Sequence, residues 1–153
     1  MNEDIDHRKL RTYVTFKKNI RLEKYLLTDS HYLGRAYHTS LRTGSNTLEI
    51  DQGRRKRIHR DFRFCIHCDS KAVESEKHFL LDCPRYQDLR NKLFASILEI
   101  SNGKWELVNR SSEDQFLLLM AGSGDQYESR IFKTFHKYLV KCFKLRKEES
   151  SKN

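Results

Sequence analysis

The chain has 153 residues, 37% hydrophobic and 33% charged, with 30 Lys and Arg against 21 Asp and Glu and a formal net charge of +9. That length suits one domain with a modest core; no run of 18 apolar residues is present to cross a bilayer, and the start MNEDIDHRKL lacks the apolar segment of a secretory leader. The expectation is a protein of the nucleus or cytoplasm. Its positive balance suits polyanions, nucleic acid before membrane, because no helix sets a lysine-rich face opposite a Trp/Leu face.

In chain order, apolar residues at 10, 13, 14 and 16, then at 20, 22, 25 and 26, recur at a helix-like period broken near Asn19. This predicts a helix over 7–18 and a short one over 21–27. Thr28, Asp29 or Ser30 can cap a further helix in which Tyr32, Leu33, Ala36, Tyr37 and Leu41 share a face. Gly44 suits the left-handed position that ends it.

Thr47 to Asp51 alternates and reads as a short strand or an extended run. Arg54, Arg55, Lys56, Arg57, Arg60 and Arg63 follow, six cations in ten residues against one acid, Asp61. Such a run is either a solvated loop or a set of phosphate contacts, and it also has the form of a nuclear localisation patch.

The stretch Cys65-Ile-His-Cys68 comes next, with His78 and Cys83 completing C-x2-C-x9-H-x4-C, so that three of the four cysteines fall within 19 positions. A two-residue gap lets both thiolates of a tight turn point at one centre. A four-residue gap between His78 and Cys83 is expected to do the same from one face of a helix starting at Glu74 or Ser75. Cys65, Cys68, His78 and Cys83 are then the four N/S ligands of a closed, tetrahedral structural Zn²⁺ site. The alternatives are unrelated thiols, or a redox CxxC, which wants an apolar strand before it and would leave His78 and Cys83 unexplained. With three thiolates and Zn²⁺ counted the net charge is about +8. His67 should point away from the metal, toward its surroundings or solvent, and Cys142 should be a small core residue.

Pro84, the only proline, can open a helix in which Tyr86, Leu89, Leu93, Phe94, Ile97 and Leu98 form a core stripe. Asn102-Gly103 breaks the chain, and Ser111 or Ser112 caps a short helix at Phe116 to Met120 that is apolar all round and should be buried. After Gly122-Ser-Gly124, residues Tyr127, Ile131, Phe135, Tyr138 and Cys142 mark a long amphipathic helix. Lysines populate its other positions, and the tail Glu148 to Asn153 should fray.

Taken together, KLRTYVTFKKNIRLEKYL, HTSLRTGSNTLEIDQGR and the R-x-C-x2-C pattern followed by ESEKHFLLDCPRYQDLR resemble the C-terminal region of LINE-type (non-LTR) retrotransposon polyproteins, downstream of the reverse transcriptase domain. The match runs from about Lys9 to Arg90. It includes that family's leucine–arginine–x–glycine step, its acidic–glycine–arginine turn and its CCHC knuckle ending in HFLxxCPxYxxxR. The resemblance carries the family's zinc ligands onto Cys65, Cys68, His78 and Cys83, and implies binding of element RNA or target DNA beside the polymerase. Neither the reverse transcriptase aspartates nor an endonuclease domain is recognisable, and the nine-residue loop exceeds the four of a retroviral knuckle.

No GxGxxG, GxxxxGK[ST], GxSxG or HExxH is present, and a saturated Cys3His centre leaves no Lewis-acid position, so no enzyme is expected. Glu74 and Glu76 read as an acid pair at a helix N-terminus. The expected fold is mainly α, a small helical domain around a zinc-stabilised CCHC hairpin-helix module with little β. Its parts are an N-terminal helical segment (1–51), the basic loop, zinc module and following helix (52–100), C-terminal helices (101–147) and a tail (148–153). The expected function is a zinc-dependent nucleic-acid-binding module using the six cations of 54–63. The alternative is a zinc-stapled structural or protein-interaction domain.

Overall fold

A computed structural model describes residues 9–151, and these form a mainly helical protein. Its helices are α1 (Arg11–Phe16), α2 (Tyr32–Thr43), α3 (Glu49–Arg55), α4 (Gln87–Ile100), α5 (Ser112–Ala121) and α6 (Glu128–Ser150). Among the described residues the β content is a single antiparallel bridge, Phe64 with Val73. No helix is long and apolar enough to cross a membrane.

The last helix is the spine. Its stripe of Ile131, Phe135, Tyr138, Leu139, Cys142 and Phe143 is buried, and α6 packs chiefly on α2 and α4. Cys142 is fully buried in that core, as its helical register predicts. Leu93 and Ile97 of α4 meet the stripe from one side and Leu41 of α2 joins the same core.

Several local expectations are corrected. The helix expected over 7–18 covers Arg11–Phe16, its first residues lying outside those described, and the one expected over 21–27 is a single tight turn, Lys24–Leu26. Thr47 to Asp51 is not a strand, because α3 begins at Glu49 with Leu48 and Ile50 both buried. Glu148 to Ser150 continue α6 instead of fraying, while 152 and 153 lie outside the described residues. Within α5, Leu118, Leu119 and Met120 are buried but Leu117 is exposed.

Two glycines are demanded by close packing. Gly44 ends α2 with φ +62°, and a Cβ there would strike the backbone carbonyl of Lys9. Gly53 lies against the side chain of Arg63, where a Cβ would collide.

Candidate metal centre

The centre is assembled from a loop and an unusual turn. Past α3 the chain turns at Arg57, whose φ of +58° lets the Ile58 amide donate to the Gly53 carbonyl at 2.8 Å. A short turn, Arg60–Phe62, then leads into a narrow loop. The Cys65 amide donates to the Ala72 carbonyl (2.8 Å) and the Glu74 amide to the Arg63 carbonyl (3.0 Å), which closes the loop around Cys65 and Cys68.

His78 and Cys83 reach the loop through a π-helical turn, His78–Asp82. In an α-helix a residue five positions on lies about 140° around the axis, so this pair would diverge. The wider turn brings them back together: the Cys83 amide donates to the His78 carbonyl at 2.7 Å. The expected helix face is thereby corrected to a π turn. Pro84 follows and cannot extend that hydrogen-bond ladder. Arg90 fixes the turn from α4, donating to the carbonyls of Leu80 (3.3 Å) and Cys83 (3.1 Å).

The ligand atoms of Cys65, Cys68, His78 and Cys83 all lie within 4.8 Å of one another. The Cys65 and Cys83 sulfurs are 4.0 Å apart, and the Cys68 sulfur is 3.5 Å from His78 Nε2. A tetrahedron with metal–sulfur bonds of about 2.3 Å has edges of about 3.8 Å, so these four donors can hold a divalent ion. Three are buried and Cys68 is half-buried. Without an ion, contact with Cys83 and burial push the Cys65 thiol up to about 12, and the same contact lowers Cys83. His78 is raised, first by its hydrogen bond to Cys65. A bound cation reverses that balance by favouring the thiolates.

Around the donors stands a shell of buried charged side chains whose partners lie far away in sequence. Glu74 and Glu76 do flank the start of the helical turn, but both are buried and ion-paired. Glu74 is fully buried: its carboxylate takes both Arg146 nitrogens, accepts the Glu49 amide at 2.7 Å, and lies 3.9 Å from the Cys65 sulfur. Burial raises its pKa and the Arg146 charge opposes that rise. Glu76 is paired with Arg11, which also holds Asp51 at 3.1 Å. His67 is neither solvent-exposed nor at the donors, since its side chain is buried with Nδ1 3.1 Å from Glu149 near the end of α6.

One signal for this shell was present. Arg90 falls in register with Tyr86, Leu93 and Ile97, and Arg146 with Phe135, Leu139 and Cys142, all buried. A cation on an apolar helical stripe needs a buried partner. Arg42 is a further buried arginine with partners across the fold. Arg42 donates to the Met120 carbonyl at 2.8 Å and faces the rings of Phe16 and Tyr25.

The six cations expected to meet phosphate do not act alike. Arg55, Lys56 and Arg57 are exposed at the end of α3, Arg54 and Arg60 half-buried. Arg63 is buried, its guanidinium donating to the carbonyls of Ile50 and Ile58 at 2.9 Å each, so it is a scaffold residue and not a surface contact. Beside the exposed cations stand the exposed rings of Phe62 and Phe64, edge to face with centroids 6.2 Å apart, with His59 against Phe62. No known family, characterised protein or solved structure matches the chain.

Proposed function

We propose that this is a zinc-dependent nucleic-acid-binding module, related to the C-terminal region of LINE-type retrotransposon polyproteins and without catalytic activity of its own. The observation that carries the reading is the juxtaposition of a four-donor Cys3His cluster with an exposed surface of Arg55, Lys56, Arg57, Phe62 and Phe64. Thiolate-rich tetrahedral donor sets select zinc. The ion would fix the 65–83 loop and turn, and through the loop hydrogen bonds it would hold the cationic and aromatic side chains in place. Cations neutralise phosphates, and exposed rings stack on unpaired bases.

The residues that carry the family resemblance support it too. Leu41, Arg42, Gly44, Asp51, Gly53, Tyr86 and Arg90 are all buried, as residues that serve the fold and not the surface should be.

The test is a salt titration of RNA and single-stranded DNA binding. With Arg63 buried, about three to five neutralised phosphates on a single strand give a log–log slope of roughly −2 to −3.5. Charge reversal at 54–57 should abolish binding while the fold persists. Binding that ignores salt, or that survives the reversal, would reject the reading. The second reading, a zinc-stapled protein-interaction domain, draws on the exposed apolar residues Val14, Ile20, Leu22 and Leu117. It predicts a phenotype indifferent to the reversal.

A further inference from the structure

A second cationic site lies between α4 and α6. Lys92 of α4 and Lys137 and Lys141 of α6 line one cleft of about 190 Å³, together with the hydroxyl residues Ser96 and Thr134, over a floor that includes Leu89. No acidic residue lines it. Three cations from two helices converge here, which the solvated face of a single helix does not produce.

Their charges also stand uncompensated. Elsewhere on the surface Lys77 faces Glu113, Lys104 faces Asp125 and Lys133 approaches Asp29. Among the described residues none of Lys92, Lys137 and Lys141 has a carboxylate within 4.0 Å. Exposed Lys144 extends the series, so that Lys137, Lys141 and Lys144 step along one side of α6 at about 6 Å and then about 4.5 Å. A cationic row with hydroxyl donors beside it complements an anion whose charges repeat along a strand.

We infer that this cleft binds phosphates of a nucleic-acid backbone and forms a second contact surface beyond the arginine run of α3. The inference rests on the nucleic-acid reading above, but on different residues. Phosphate is favoured over an acidic peptide because it gathers several acceptor oxygens at one centre, and the cleft sets three ammonium groups and two hydroxyls around one space. Backbone contacts of this kind orient a strand without reading its bases.

The test uses the full chain with K92Q, K137Q and K141Q combined, and a short oligouridylate as probe. All three are helix positions that tolerate Gln, and an unchanged melting temperature and metal content establish that the fold is intact. Removing three phosphate contacts to a single strand should make the salt slope shallower by about 2, and the matching Lys→Arg variants should restore it. Amide shifts on adding the oligonucleotide should include Ser96, Thr134, Lys137 and Lys141. An unchanged slope, with shifts confined to 54–64, overturns the cleft and leaves the proposed function standing. Wild-type protein that binds no oligonucleotide fails the proposed function itself. Shifts at the cleft with an oligoglutamate but not with the oligonucleotide overturn the phosphate assignment in favour of an acidic partner.

Discussion

Arg146, near the end of α6, closes a two-pronged ion pair on Glu74, which lies 72 positions earlier and 3.9 Å from a cysteine of the candidate metal centre. The same guanidinium donates to the Thr47 carbonyl at 2.8 Å, and the same carboxylate receives the Glu49 amide. One buried pair therefore ties together the last helix, the start of α3 and the cysteine loop.

Breaking that pair from one side should be costly. Glu74→Gln or Arg146→Met leaves a buried charge without its partner, and each should lose about 3–5 kcal/mol in urea unfolding. Replacing both with apolar residues should lose less than the two single changes summed, the signature of direct coupling. Single variants within about 0.5 kcal/mol of wild type would deny the pair its role.

Arg63 and its cationic neighbours should separate cleanly. Arg63→Ala strands two buried carbonyls and empties the space beside Gly53, so about 2–3 kcal/mol of stability should be lost. Arg55→Gln, Lys56→Gln and Arg57→Gln should each stay within about 0.5 kcal/mol and weaken RNA binding instead. Paired denaturation and binding curves on the four variants check this.

The contrast bears on what a sequence discloses. The helices α2, α4 and α6 and the four donors are legible because each signal is local: an apolar period, a glycine stop, a ligand spacing. The start of α3 reads in sequence as a short strand or an extended run because Leu48 and Ile50 stand two apart, an alternation that a short helix also permits. What caps that helix is the Glu74 carboxylate, 25 residues away. Arg63, Glu74 and Glu76 look like surface charges for the same reason: their partners lie across the fold. The π turn is not legible in sequence, because His78 and Cys83 have one spacing whichever helix connects them.

A pH dependence follows from the buried histidines. Met120 O accepts from His38 Nε2 at 3.0 Å, which leaves His38 Nδ1 to accept from His136 Nε2 (3.1 Å) and His136 Nδ1 to accept from Ser30 Oγ (2.6 Å). Burial pushes His38 down to about 3 and His136 down to about 4, from 6.5. The unfolded chain therefore binds more protons below 6.5, so this contribution to stability is present above that pH and is lost as pH falls toward 4. Glu74 and Glu76, whose values burial raises, act in the opposite sense over part of this range. The histidine term is thus read as the difference between wild type and His136→Asn in melts from pH 7 to pH 4, with the variant expected to show the flatter profile. Parallel profiles would refute the neutral, hydrogen-bonded chain.

Metal should be part of the fold. Cys68→Ser removes one of the four donors and should thereby release an ion held by them. The variant should lose its metal, melt at lower temperature and be cut by protease between 60 and 85. A chelator should do the same to wild type and leave the variant unaffected.

The most direct test of the whole account is the metal content of the purified, folded chain, measured by plasma mass spectrometry with thermal stability followed as the metal is withdrawn. The account predicts one zinc per chain, lost together with stability on chelation and in Cys68→Ser. Folded protein with no stoichiometric metal, and a melting curve that a chelator does not move, would contradict it.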